Sequence, residues 1–81
     1  MIKIKLKCFS QVKYALSKDE MVLKIKIGTT AAGLIQLVRE LAQGRLDDIG
    51  LSVAINKKYV KSDSLLNEGD EVVLIPPVQG G

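Results

Sequence analysis

The stretch GDEVVLIPP (residues 69–77) decides the fold of this 81-residue chain. Its centre, from Val72 to Ile75, is apolar at consecutive positions, whereas a strand with one wet face alternates apolar and polar residues. This run therefore predicts a central strand that is covered on both faces. Gly69 suits a turn with positive φ before the strand, and the two prolines end its ladder because they have no N–H.

Two segments nearer the N-terminus alternate apolar and basic residues, which predicts strands with one buried face. In IKIKLKC (residues 2–8) the inward set is Ile2, Ile4, Leu6 and Cys8. In LKIKI (residues 23–27) it is Leu23, Ile25 and Ile27. The two strands are predicted to pair as a hairpin, and the long connection between them has room for a helical turn.

A helix is predicted after Gly28, with Thr29 or Thr30 as its cap and Gly44 at its end. Gly33 in its first turn costs up to about 1 kcal/mol relative to alanine, so we expect either a packing reason for it or a frayed start. The apolar positions that recur at helical spacing are Ala31, Leu34, Ile35, Val38, Leu41 and Ala42. The positions predicted to face water are Gln36, Arg39, Glu40 and Gln43.

The remaining elements are a third strand in LSVAIN (residues 51–56), a turn at residues 56–58 and a short run at Tyr59 and Val60. One main helix and four or five strands predict an α+β fold, with a single mixed sheet packed on that helix. The last strand is expected to lie parallel to the first, in the middle of the sheet, with a strand pair on each side. We assign residues 1–77 to this domain and residues 78–81 to a flexible tail.

Composition excludes several functional classes. The chain has one cysteine, Cys8, and no histidine, so it can form no internal disulfide and lacks the commonest metal ligand and the usual neutral-pH base. No metal site is predicted, and the inward position of Cys8 indicates a packing thiol. No apolar run approaches the ~20 residues of a membrane span, so we expect a soluble, cytoplasmic protein.

The net charge is +3, and five of the basic residues are lysines on the alternating strands. We interpret Lys3, Lys5, Lys7, Lys24 and Lys26 as a solvated face, because no aromatic platform lies between them for single-stranded nucleic acid. A small basic nucleic-acid-binding domain remains the alternative from another functional class. Salt-sensitive RNA binding that survives deletion of Gly80 and Gly81 would select it.

The C-terminal residues predict a carried acyl group. The four residues beyond Pro77 reach at most ~13 to 14 Å, enough to enter the cleft of a partner. Glycine at positions 80 and 81 allows a narrow cleft, since no Cβ obstructs the backbone. The Gly81 carboxylate is a poor electrophile when ionised, so it needs activation as an acyl-adenylate by a separate ATP-dependent enzyme. A sulfur donor would then give a thiocarboxylate, and an amine would give an amide.

The same region predicts a docking surface. If Val72 and Leu74 point to the helix, Val73 and Ile75 point away from it, onto a face that the core does not bury. Ile75 is the predicted anchor. The full set of predicted partner-binding residues is Phe9, Tyr59, Ile75, Pro76, Pro77, Val78, Gln79 and Gly80. The alternative is that these side chains only pack together in a second small cluster and do not bind a partner.

Three segments together resemble the small, sulfur-carrier subunits of molybdopterin synthase, which have the ubiquitin-like β-grasp fold. They are LNEGDEVVLIPPVQGG (residues 66–81), MIKIKLKCFSQV (residues 1–12) and VAIN (residues 53–56). The most specific part combines GDEV with PPVQGG. One departure from the family pattern is NKKY (residues 56–59), where many relatives have a glycine after the asparagine of the hairpin turn.

The resemblance implies a mechanism in which this chain is not an enzyme on its own. Gly81 would be adenylated by an E1-like activating enzyme, converted to a thiocarboxylate with sulfur from a donor protein, and inserted into the large subunit of molybdopterin synthase. There it would donate sulfur to cyclic pyranopterin monophosphate. The catalytic lysines would belong to the large subunit, and no cofactor would be bound.

Three related functions stay open within this class. They are sulfur carriage for the thiazole of thiamin, sulfur carriage for tRNA thiolation, and modification of proteins through isopeptide bonds to lysine. The double proline in IPPVQGG favours molybdopterin synthesis.

Overall fold

The computed structural model describes residues 1–76, and residues 77–81 lie outside the described part. Within it five strands and two helices follow one another along the chain. They are β1 (Ile2–Lys7), α1 (Ser10–Leu16), β2 (Glu20–Ile25), α2 (Ala31–Leu41), β3 (Ser52–Ile55), β4 (Lys58–Val60) and β5 (Glu71–Ile75). The predicted boundary at residue 77 and the predicted tail, residues 78–81, fall outside the described residues and stay predictions.

Strand β5 occupies the centre of the sheet, as its unbroken apolar run predicts. The strand order is β2-β1-β5-β3-β4. Strand β5 runs parallel to β1, with Leu6 beside Val72, and antiparallel to β3, with Val53 opposite Leu74. The prediction of a central last strand, parallel to the first and flanked by two pairs, is confirmed.

Helix α2 begins where the sequence indicates. The Thr30 hydroxyl oxygen accepts a hydrogen bond of 3.2 Å from the Gly33 N–H, so Thr30 is the cap. A Cβ at Gly33 would lie 3.3 Å from the Thr29 Cγ2, tight against the capping turn, which gives this glycine its packing reason. The helix buries Ala31, Leu34 and Val38 against the sheet.

The end of α2 differs from the prediction. The helix ends at Leu41, whose side chain is 45 % exposed instead of buried. Leu46 in the following turns enters the core in its place. Arg39, predicted to face water, is half-buried and donates hydrogen bonds to the Leu46 and Ile49 carbonyl oxygens. The guanidinium thus fixes the turns that bring Leu46 inward.

The connection between β1 and β2 holds a full helix, longer than the predicted turn. Helix α1 buries Val12 and Ala15. Strand β2 ends at Ile25, so the expectation that Ile27 points inward is wrong: its side chain is 78 % exposed. The reason is the turn at Gly28, in which the Lys26 carbonyl accepts a hydrogen bond from the Thr29 N–H and the ladder stops.

The core lies between one face of the sheet and the two helices. Cys8 belongs to it, with 2 % of its surface exposed, which confirms a packing thiol. Burial first, and then the nearby Asp19 carboxylate, raise the pKa of this thiol. Among residues 1–76 no helix is long and apolar enough to cross a bilayer. This mixed sheet with α2 across one face has the ubiquitin-like β-grasp architecture, so the predicted fold class is confirmed.

Candidate docking face and carrier tail

The sheet face turned away from α2, here called the open face, carries the predicted docking residues. Residues paired across neighbouring strands place their side chains on the same face. The register therefore aligns one row across four strands of the open face: Lys7, Val73, Ala54 and Tyr59.

Strand β5 presents its two faces as predicted. Val72 and Leu74 are fully buried toward the helices, whereas Val73 and Ile75 are half-buried and do not belong to the core cluster or its packed margin. The expectation that the second face of β5 is covered is not met within residues 1–76, where no second layer packs on it. The alternative that these side chains fill a second small cluster stays open, since Val78 lies outside the described residues.

Phe9 and Tyr59 lie at the two ends of this apolar surface. Phe9 follows β1 in an extended conformation, so continuing the register of β1 and β5 by two residues sets it level with Ile75. Its side chain is 54 % exposed, and that of Tyr59 is 72 % exposed. We define the docking patch as Phe9, Ala54, Tyr59, Val73 and Ile75. Four of these side chains are at least partly exposed, and Ala54 is buried on the same face, with 6 % of its surface exposed. Ala54 was missed from the sequence, because only the pairing of β3 with β5 places it there.

The open face is divided by charge. At its apolar end the Lys7 ammonium lies 3.6 Å from a Glu71 carboxylate oxygen, a pair that is about one-third exposed. At its other end Lys3, Lys5 and Lys24 have no ion-pair partner among residues 1–76. The docking patch is thus flanked by a basic region on β1 and β2.

A buried aspartate fixes the start of β5. One carboxylate oxygen of Asp70 accepts a hydrogen bond of 3.1 Å from the Asn56 side-chain amide, and the other accepts one of 2.8 Å from the Asn67 N–H. Asn56 also accepts from the Glu71 N–H at 3.0 Å through its side-chain oxygen. These bonds join the β3–β4 turn to β5, which is the structural role of the GDEV segment. Sequence reasoning missed this network, since its members are far apart along the chain.

The predicted tail, residues 78–81, lies outside the described residues. Pro76 is half-buried directly after β5, beside the docking patch. The predicted residues Pro77, Val78, Gln79, Gly80 and Gly81 lie outside the described residues. Among residues 1–76 no group of three or more acidic, cysteine or histidine side chains could hold a metal ion.

A β-grasp sheet with an apolar patch next to the exit of its central strand defines a small ubiquitin-like protein. A family model described as the ThiS family matches residues 7–81, and the chain belongs to this family. It is 28 % identical over 81 residues to a molybdopterin synthase sulfur carrier subunit of Dictyostelium discoideum, covering 95 % of this chain and 94 % of that one.

Two solved structures show how far the fold is shared. A protein of Pyrococcus furiosus described as a putative molybdopterin converting factor, subunit 1, superposes with a TM-score of 0.86 at 25 % identity, covering 96 % of this chain and all of the other. A complex of subunits 1 and 2 of the molybdopterin-converting factor of Helicobacter pylori contains a chain that matches with a TM-score of 0.68 at 22 % identity. That match covers 99 % of this chain and all of the other.

Proposed function

We propose that this protein is a sulfur carrier in the synthesis of molybdopterin, with the Gly81 carboxylate as the group that is loaded and unloaded. The observation that carries the proposal is the family match, which extends through the PPVQGG segment to Gly81. The name of the Dictyostelium relative supports molybdopterin synthesis over the other sulfur pathways.

The chemistry divides between this chain and its partners. An E1-like enzyme would transfer AMP from ATP to the Gly81 carboxylate, releasing pyrophosphate. A persulfide on a donor protein would then attack the acyl carbon and displace AMP, and a thiol would cleave the resulting acyl disulfide, forming a new disulfide and releasing the thiocarboxylate. We assign these steps to the partner enzymes.

The docking patch gives the large synthase subunit a surface to bind. Apolar side chains without core contacts at a sheet centre are typical of protein interfaces, in which a few buried anchors dominate the affinity. The Helicobacter structure, described as a complex of subunits 1 and 2, supports such a partner. Inside it the thiocarboxylate would donate its sulfur to cyclic pyranopterin monophosphate and return to a carboxylate.

The decisive experiment is the intact mass of the protein after incubation with ATP, a cognate activating enzyme and a sulfur source. We expect a gain equal to the replacement of one oxygen by one sulfur. A variant that lacks Gly81 is the matched control and should keep its mass. Transfer is then measured by adding the large subunit and cyclic pyranopterin monophosphate and following the formation of molybdopterin.

Two results would contradict the proposal. An amide-linked ladder on other proteins, with no thiocarboxylate, would instead indicate a protein modifier. A thiocarboxylate that supports thiazole formation or tRNA thiolation, but never molybdopterin synthesis, would keep the carrier chemistry and reject the pathway.

A further inference from the structure

The outer edge of β2 is a free edge of the sheet. No strand of residues 1–76 pairs with it. The Lys5 N–H donates to the Asp70 carbonyl, and the Lys3 carbonyl accepts from the Gly69 N–H, so the odd-numbered residues of β1 are bonded toward β5. Their partners on β2 consequently direct their own N–H and C=O groups outward. These outward residues are Glu20, Val22 and Lys24.

The three residues form a symmetric pattern on the open face. Val22 is at the centre and is 63 % exposed, with Glu20 two positions before it and Lys24 two positions after it. Both charged side chains are exposed, and neither has an ion-pair partner among the described residues. Lys24 lies directly opposite Lys3, and like charges in this position destabilise a sheet. Glu20 of the same strand is about 13 Å away, too far to neutralise Lys24.

We propose that two copies of this chain pair through their β2 edges as antiparallel strands, with a two-fold axis beside Val22. This register sets Val22 opposite Val22 of the second copy, and it sets Glu20 of each copy opposite Lys24 of the other. In each of these pairs the N–H and C=O groups face outward, so the two residues exchange both backbone hydrogen bonds. On the other face Met21 of one copy lies opposite Leu23 of the other, and both side chains are partly buried against the core.

The two signs of charge select this register. An axis beside Lys24 would set the two copies of that lysine face to face, and an axis beside Met21 would set it opposite Lys18. An axis beside Leu23 would set it opposite Val22. Of the two-fold registers within β2, the one centred on Val22 gives each Lys24 a carboxylate directly across from it, which relieves the repulsion on the open face.

The free edge at β4 differs because its charges have one sign. The basic residues in and beside this short strand are Lys57, Lys58 and Lys61. Two copies joined there about Tyr59 would set Lys57 opposite Lys61, and lysines on an edge oppose strand pairing. The β2 edge lacks this protection, since its lysine and its glutamate are placed symmetrically about Val22.

The dimer leaves both docking patches free. The patch is centred on β5, β3 and β4, and β1 separates these strands from β2. Because the two-fold axis is perpendicular to the sheet, the two open faces lie on the same side of the dimer, and the two β5 strands end at opposite ends of it. Self-association is therefore independent of sulfur carriage.

The test is sedimentation equilibrium of the full chain, which measures the mass of the assembly in solution. Small interfaces give weak, reversible assemblies, so the measurement covers protein concentrations from about 10 µM to about 1 mM. We expect a monomer–dimer equilibrium that weakens as salt is added, because exposed ion pairs are screened. A variant that lacks Gly81 should dimerise to the same extent, which separates this result from the test of sulfur carriage.

Charge variants test the register. Glu20→Lys and Lys24→Glu should each weaken dimerisation about fivefold or more, since every dimer contains the altered pair twice. Mixed in equal amounts, the two variants should form a heterodimer, because the lysines of one then face the glutamates of the other. Lys61→Glu, the same charge change beyond β4, is the matched control and should dimerise normally.

A further variant tests strand pairing itself. In Val22→Pro the lost N–H faces the free edge, so the β1–β2 ladder is kept while the central pair of the dimer loses its hydrogen bonds. We expect this variant to keep the circular dichroism of the unmodified protein and to remain a monomer at the highest concentration.

Three results would overturn the proposal. They are a monomer over the whole concentration range, a mixture of Glu20→Lys and Lys24→Glu that associates no better than either variant alone, and a dimer that persists in the folded Val22→Pro variant. A dimer that Ile75→Asp abolishes would place the interface at the docking patch instead.

Discussion

Ile75 shows how one side chain is assigned to docking instead of to the core. Its side chain points to the opposite face of the sheet from the fully buried Leu74, and it does not belong to the core cluster or to the residues packed against that cluster. At the middle of a partner interface such an anchor contributes about 2 kcal/mol or more. The same residue adjoins Pro76 and lies three positions before Val78, where the predicted tail begins.

We expect Ile75→Asp to weaken binding of the large subunit by about thirtyfold or more, because a carboxylate would have to be buried unpaired in the interface. Calorimetric titration measures this, and circular dichroism should remain unchanged. Val22→Asp, on the same face but outside the docking patch, is the matched control. Unimpaired binding by Ile75→Asp would remove this residue from the interface.

Cys8 gives a second prediction at the scale of a residue, concerning pH. Its pKa is raised in the folded state by burial and by Asp19, so the folded chain holds the thiol proton to higher pH than the unfolded chain. The thiol therefore contributes its full stabilisation of the folded chain below its pKa in the unfolded chain, which is roughly 8.5. This contribution is lost as the pH rises above that value and through the higher pKa of the folded chain.

The Cys8→Val variant isolates that effect, because valine is apolar and does not ionise. We expect the free energy of unfolding of the unmodified protein, measured with urea, to decline between neutral and alkaline pH more steeply than that of the variant. Parallel pH profiles for the two proteins would show that the thiol is not responsible.

At the scale of elements, the β3–β4 hairpin forms without a glycine in its turn. Its two turn residues, Asn56 and Lys57, have φ values of 51° and 73°, and β4 begins at Lys58, one residue before the predicted run. Positive φ at both positions is the geometry of a tight hairpin turn, which favours asparagine followed by glycine. Lys57 is therefore held in a conformation that is unfavourable for a residue with a Cβ.

Lys57→Gly should raise the free energy of unfolding by about 0.5–1 kcal/mol, because glycine adopts this conformation without a steric cost. Lys58→Gly, one position later in β4, is the contrasting control and should lower it by a similar amount. Urea denaturation measures both. A loss of stability in Lys57→Gly would mean that the flexibility of the unfolded glycine chain outweighs the relief of strain.

Asp70 links the same hairpin to the central strand. Asp70→Ala should lower the free energy of unfolding by about 1–3 kcal/mol, since the Asn56 amide and the Asn67 N–H lose their acceptor in a part-buried site. Asp63→Ala, at an exposed position, is the control and should change stability little. An equal effect of the two substitutions would contradict the linking role.

For the whole molecule, the proposed role of the Gly81 carboxylate makes a separate prediction. An extra residue fused after Gly81 should leave urea stability unchanged, because it adds nothing to the described core. The same protein should fail to gain sulfur and fail to restore molybdopterin synthesis in cells that lack the carrier. Full restoration, with intact mass showing that the extension was not trimmed, would refute the proposed role of Gly81.

Much of the architecture could be predicted because it depends on neighbours in the chain. The consecutive apolar residues of β5, the alternation of β1 and the Thr30 cap each act over a few positions, and the structure follows them. The face on which Ile75 lies could be predicted for the same reason, since strand parity is local, whereas the parallel pairing that sets Phe9 level with Ile75 joins distant segments.

The sequence by itself thus determined a central last strand, the faces of the strands and the absence of histidine chemistry. Only the tertiary structure decided that Leu46 replaces Leu41 in the core, that Ile27 is exposed, and that Ala54 completes the docking patch. It also decided that Asp70 meets Asn56. Local periodicity cannot fix where a helix ends or which strands pair, because both depend on contacts between segments far apart in the chain.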